Sequence, residues 1–181
     1  MLVRLLIVGA GGFGGAIAEA ATASGLYDIV GFADDRWPAL EMIPTGTVIG
    51  SVAELARLRA RADAVALAIG NGAVRERVAA SARAAGFELP AIIHPRSYIA
   101  QGVTLGAGVM VLAGAIVGTG STLGDGVLIN AGAVLDHDCQ VGAFANVGIA
   151  ASIGGGCRLA AGECLAQGTT LTLHEGRSSR G

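Results

Sequence analysis

The sequence predicts a two-part chain, a small α/β unit over residues 1–95 followed by a parallel β-solenoid over residues 96–173, with a disordered tail at 174–181. Three observations carry this. From Ile99 to Leu171 every sixth residue is Ile, Leu or Val, thirteen times without a break. Apolar runs alternating with helix-like segments fill the chain before it. A composition of 52% hydrophobic but only 4% aromatic residues, with thirty glycines, suits walls of small aliphatics joined by tight corners.

In the α/β unit, "LVRLLIVGA" is a continuous apolar run of the kind found in a parallel strand buried on both faces, and "GGFGGAIAEAATASG" follows as turn and helix. "DIVGFADD" reads as a second strand ending in two acids, residues 52–61 as a helix, and "DAVALAIG" as a third strand. "NGAVRERVAASARAAG" is a further helix, and "ELPAIIH" leads through a short hinge, His94 to Arg96, into the solenoid. Such alternation builds a parallel sheet with helices on its faces.

Within the repeat, the residue two places before the aliphatic is usually small, as at Ala115, Ser121, Ala133, Cys139, Ala145 and Ala151, and the residue after it is often Gly, Asn or Asp. Neither a helical period nor simple alternation fits. Each short strand buries one aliphatic inward, and three hexads make one triangular coil, so thirteen make a prism of a little over four coils.

Composition also narrows the partners. A net charge of −2 gives no reason to expect nucleic acid or an anionic membrane. Mean hydropathy is +0.63, and Gly102 to Gly124 carries no charge, which a window scan reads as a spanning helix. The unbroken six-residue register and the frequent glycines argue against that helix. The apolar N-terminus resembles a signal peptide, but a glycine fingerprint inside it favours a buried strand and turn, so a soluble, cytoplasmic protein is expected. Cys139, Cys157 and Cys164 are odd in number and lack CxxC spacing, a poor basis for a disulfide or a zinc site.

Two motifs carry chemistry. Gly9, Gly11 and Gly14 complete a G-x-G-x-x-G directly after the first strand, where backbone N–H groups at a helix start can meet a phosphate. Asp34 and Asp35 end the second strand, where a carboxylate commonly meets ribose hydroxyls. The alternatives are a structural glycine turn and an NAD-dependent dehydrogenase. An α/β part of 95 residues holds one mononucleotide-binding half and is too short for the double half of a dinucleotide site. The second motif is "LDHDC": Leu135 fills the interior, so Asp136, His137 and Asp138 occupy a corner. A histidine held by a carboxylate is readied to take a proton, whereas the plain reading is a solvated polar corner.

The chain as a whole resembles the bacterial nucleotide-sugar acetyltransferases that N-acetylate UDP-4-amino-sugars or GDP-perosamine, grouped with the sialic-acid O-acetyltransferases. "IVGAGGFG", "GFADD", "AIGNGAVRERV", "IIHPRSYIA" and "LINAGAVLDHDCQVGAFANVG" occur in the family's order. The resemblance implies a Rossmann-like nucleotide-sugar-binding domain followed by a left-handed parallel β-helix, assembled as a homotrimer. It implies His137 as the base and Asp138 as the acid that increases its basicity. The acceptor would lie on Gly11, Gly12, Phe13, Asp34, Asp35 and Gly70, and acetyl-CoA, the co-substrate, near Asn146 and Gln167; no metal is implied. Phe13 stands where members of the resembled family often carry histidine, and Asn146 where some of them place a second histidine near the coenzyme.

After Leu171 the sequence turns to "TLHEGRSSRG", where the family is expected to continue through further coils, and this leads us to expect weakened coenzyme binding or a truncated, non-catalytic scaffold that binds nucleotide sugar. A metal enzyme of the carbonic anhydrase type on the same solenoid needs three converging histidines. The three here, His94, His137 and His174, are scattered along the chain.

Overall fold

Leu5, Leu6, Ile7 and Val8 are all fully buried, as a strand covered on both faces requires. They form β1 (Val3–Val8), an interior strand of a five-stranded sheet in the computed structural model, which describes residues 1–173. The expected disordered tail, with His174, lies outside the described residues. The other strands are β2 (Tyr27–Ala33), β3 (Met42–Ile43), β4 (Gly46–Gly50) and β5 (Ala64–Leu67), in the order β3-β4-β2-β1-β5. All pairings are parallel except the β3–β4 hairpin. Helix α1 (Gly12–Ser24) joins β1 to β2, and α2 (Leu55–Leu58) and α3 (Gly72–Ala84) flank β5 in sequence. The chain runs to one side of β1 for β2 and β4 and to the other for β5. The C-terminal ends of β1 and β5 therefore flank a switch point, where ligands of parallel sheets bind.

Two features of this unit differ from the sequence expectation. The helix expected over 52–61 is a single 3-10 turn, Val52–Glu54, and the one-turn α2. The backbone N–H groups of Arg61 and Ala62 both turn back to the Leu58 carbonyl, and that of Asp63 reaches the Arg4 carbonyl at 2.9 Å, so the chain leaves the helix to enter β5. The β3–β4 hairpin was not expected. Its longer strand is the glycine-bounded "GTVIG", which is extended because Val48 pairs with Phe32 and is fully buried.

The chain divides into two compact units between Ile92 and Ile93. The second is the solenoid, a left-handed parallel β-helix of two-residue strands on three walls. Residues 18 apart pair in register: Ile116 with Val134, Thr122 with Gln140, Leu128 with Asn146. Val111, Val117, Leu123, Ile129, Leu135, Val141 and Val147 all point inward and are buried. The small hexad slot packs beside them, with Ala115, Ser121, Ala133, Cys139, Ala145 and Ala151 fully buried. The stretch expected to be a hinge is a hydrogen-bonded first corner. The His94 N–H donates to the Val111 carbonyl at 2.9 Å, and the Arg96 N–H donates to His94 Nδ1 at 3.0 Å.

Every corner from Gly102 to Gly168 places one residue in the left-handed region. Nine of these are glycine, and three consecutive ones are Asp138, Phe144 and Ala150 with φ of 58°, 58° and 54°. The requirement for positive φ explains the glycines. It makes the three exceptions informative.

Candidate active site

The glycine fingerprint splits into two kinds of glycine. A Cβ at Gly9 would overlap the Ala68 carbonyl oxygen, and one at Gly14 would overlap the Gly9 carbonyl oxygen, so these two let β1, β5 and α1 approach closely. Gly11 caps α1 in extended conformation with φ −91°, and a Cβ on Gly11 or Gly12 would meet nothing within 4 Å. Gly70, just past β5, is likewise open. Neither packing nor a positive φ demands glycine at these three positions. What they provide is bare backbone at the head of a parallel sheet, beside a helix N-terminus that favours anions. Phe13 follows in the first turn of α1 and is half-buried.

Asp34 and Asp35 lie just beyond β2. Asp34 Oδ2 accepts the Ala10 N–H at 2.8 Å and Arg36 Nη2 at 2.9 Å, while its Oδ1 accepts the Arg36 backbone N–H at 3.0 Å and Nε at 2.7 Å. The Arg36 guanidinium, helped by the two backbone N–H groups, holds the Asp34 carboxyl well below the usual carboxylate range. Asp35 Oδ1 accepts the Val52 N–H at 3.1 Å. The Gly9 N–H donates to the Ala33 carbonyl at 2.8 Å, so the glycine loop, the two acids and Gly70 gather at one end of one sheet.

On α3, Asn71 caps the helix by accepting the Val74 N–H at 3.0 Å. Arg75 is fully buried and donates from Nη1 to the Ile69 carbonyl at 2.6 Å and the Gly70 carbonyl at 3.1 Å. This buried guanidinium fixes the loop that presents Gly70.

In the solenoid, His137 and Asp138 form the turn between the strands Val134–Leu135 and Gln140–Val141. His137 Nδ1 lies 2.8 Å from Asp138 Oδ2. An ionised carboxylate only accepts, so Nδ1 carries the proton and Nε2 presents its lone pair. Asp138 first, then Asp136, whose Oδ2 is 3.9 Å from Nε2, raise the His137 pKa above its ordinary value. Both residues of the pair are exposed. Neighbouring coils make room for them through glycine. A Cβ at Gly155 would sit 2.6 Å from His137 Nε2, and one at Gly120 would overlap Asp138 Oδ1. The sequence reading missed Gly120 and Gly155, and the signal was present: each lies 18 residues from the residue it accommodates.

Asn146 lies on another wall, paired with Leu128 and Cys164. Gln167 is on the edge that this wall leads to, stacked beyond Ala131 and Ile149. Within one chain, therefore, His137 and Gln167 occupy different edges of the prism, and Asn146 lies on a wall that does not carry the His137 turn's preceding strand. The wall between those edges carries Tyr98, Ile116 and Val134, which are 62%, 42% and 38% exposed.

Residues 4–82 match the family model described as the PglD N-terminal domain. The whole fold is similar to the acetyltransferase domain of PglB from Neisseria gonorrhoeae, solved in complex with acetyl coenzyme A, at 31% identity and a TM-score of 0.79, covering 96% of this chain and 94% of that one. The chain belongs to the PglD-type family of hexapeptide-repeat nucleotide-sugar acetyltransferases. PerB from Caulobacter crescentus, solved with CoA and GDP-perosamine, is similar at 28% identity and a TM-score of 0.81, covering 95% of this chain and 92% of that one. WeeI from Acinetobacter baumannii, at 19% identity and a TM-score of 0.58 over 96% and 98% of the two chains, shares the fold. No curated protein sequence matches the chain. No helix among the described residues is long and apolar enough to cross a membrane.

Proposed function

We propose that this member of the family transfers the acetyl group of acetyl-CoA to an amino group, or less readily a hydroxyl, of a nucleotide-linked sugar destined for surface polysaccharide. The observation that carries the reading is the 2.8 Å pairing of His137 Nδ1 with Asp138, which leaves Nε2 as a base. As the acceptor nitrogen attacks the thioester carbonyl, its proton passes to Nε2 and backbone N–H groups stabilise the oxyanion. The C–S bond then breaks, and the thiolate of CoA leaves and takes the proton. Asp138 holds the ring in the required tautomer and offsets the charge on the imidazolium.

The α/β unit would hold the nucleotide through bare backbone at Gly11, Gly12 and Gly70 with Phe13, Asp34 and Asp35 beside them. Asn146 and Gln167 would contact acetyl-CoA. A homotrimer suits the solenoid. Packing the wall of Tyr98, Ile116 and Val134 around a three-fold axis would cover its apolar side chains and set the His137 edge of one copy beside the Gln167 edge of the next. Three free cysteines accord with a reducing cytoplasm.

The test is acetyl transfer from acetyl-CoA to a panel of UDP- and GDP-linked amino-sugars, followed by thiol release and by the mass of the product. Transfer to at least one amino-sugar, with NADH showing no binding by calorimetry, is the expected result. Tight NADH binding with no affinity for any nucleotide sugar would overturn the reading.

A further inference from the structure

The sequence assigns the end of β2 to Asp34 as a partner for ligand hydroxyls, but the structure fills that carboxylate. An ionised carboxylate offers about four acceptor directions. Asp34 uses them on the Ala10 N–H, the Arg36 N–H, Arg36 Nε and Arg36 Nη2, at 2.8, 3.0, 2.7 and 2.9 Å. Its side chain is only 13% exposed, whereas that of Arg36 is 58% exposed. Asp34 thus ties the glycine loop to Arg36 and has little acceptor capacity left for a ligand.

Arg36 is held differently. The Nε/Nη2 edge of the guanidinium is clamped in a two-point pair, and the tight turn that returns the Trp37 N–H to the Asp34 carbonyl at 3.0 Å fixes its backbone. The outer edge, Nη1 and the second N–H of Nη2, has no partner among the described residues. A planar fork locked along one edge presents the other with little entropy left to lose, which suits a pair of acceptor atoms. The end of the second strand is where the nucleoside portion of a ligand lies when its diphosphate is at the first glycine loop.

We infer that Arg36, oriented by Asp34, is the residue at the end of β2 that contacts the nucleoside diphosphate of the acceptor, by donating from its outer edge to paired oxygen or ring-nitrogen acceptors. This rests on the proposed binding of nucleotide sugars. Asp34 is a positioning residue that acts through Arg36 and through the Ala10 N–H. The two acids that read alike in sequence then have separate tasks, since Asp35 alone keeps a carboxylate oxygen without a partner among the described residues.

The experiment is calorimetric titration of the full chain with UDP, GDP and acetyl-CoA, for the wild type and for Arg36→Ala, Arg36→Lys and Asp34→Asn. Wild-type binding of UDP or GDP establishes the underlying reading, and its absence would remove both that reading and this one. Given that binding, Arg36→Ala should weaken it by roughly tenfold or more, the size of a charge-assisted hydrogen bond, with acetyl-CoA affinity unchanged. Arg36→Lys should recover only part of the loss, because an ammonium cannot reproduce the fork. A loss confined to one diphosphate assigns the contact to the base, and a loss shared by both assigns it to ribose or phosphate. Nucleotide affinity unchanged in Arg36→Ala, or an equal fall in acetyl-CoA affinity, would overturn the assignment.

Discussion

At the head of the α/β sheet the proposed nucleotide site is made by leaving side chains out, with Gly11, Gly12 and Gly70 facing open space and the nearest acid already paired. At the solenoid corner it is made by putting a carboxylate into a backbone slot that nine other corners give to glycine. The first arrangement suits holding a large, hydrogen-bond-rich ligand against backbone. The second suits a single proton transfer, because the residue in the left-handed slot is the one that holds the proposed base. Binding and chemistry thus ask opposite things of the same residue type.

The largest expected effect is at the corner. His137→Ala should lower kcat by about two to four orders of magnitude while leaving the fold and its assembly intact, as read by turnover and sedimentation. Near-normal turnover would dissolve the contrast, since the corner would then be an ordinary polar turn. Next in size is Gly155→Ala. A Cβ there presses on the His137 ring, and the displaced base should cost roughly ten- to a hundredfold in kcat with little change in either KM. Steady-state kinetics with both substrates varied would separate this from a binding defect.

The α/β unit offers a paired test of its two kinds of glycine. Gly9→Ala and Gly14→Ala force a Cβ onto a carbonyl oxygen and should destabilise the fold by about 1–3 kcal/mol in thermal or denaturant unfolding. Gly11→Ala should lose less, about 0.5–1 kcal/mol for a poorer N-cap, yet raise the acceptor KM, because only the ligand occupies that space. Equal stability losses at positions 9 and 11 would mean that all the fingerprint glycines serve packing alone.

A smaller effect carries a revealing sign. Asp138→Gly removes a left-handed non-glycine residue, so it should leave stability unchanged or raise it by about 1 kcal/mol. Activity should fall. A stabilised, slower enzyme is the expected outcome of unfolding and turnover measured on the same sample.

The inward aliphatics of the solenoid were legible because a strict period of six has one physical explanation. The single-residue requirements were harder to see. The clearance for His137 and Asp138 lies at Gly155 and Gly120, a full coil away in each direction, and nothing local marks them. The exceptional corner slot could be read in retrospect, since Asp138 is the first break in a run of glycines spaced by six from Gly102 to Gly132. In the α/β unit the apolar run "LVRLLIV" made β1 plain, but "GTVIG" is a strand only through its pairing with β2, which no local pattern specifies. The motif put Asp34 at the end of β2, but nothing in it marked that Arg36, two residues later, pairs with both of its carboxylate oxygens.

The central claim, that the His137–Asp138 pair runs the transfer, is tested most directly by the pH dependence of kcat for the wild type and for Asp138→Asn. His137 must be neutral to accept a proton, and its pKa in the folded protein is raised above the ordinary 6.5 by Asp138 and Asp136. The wild-type rate should therefore climb with pH along a limb centred above that value. Replacing the charged partner lowers the imidazole pKa, so the limb of Asp138→Asn should move to lower pH while its plateau falls. A limb that stays in place in the variant, or a wild-type rate flat across this range, would contradict the account.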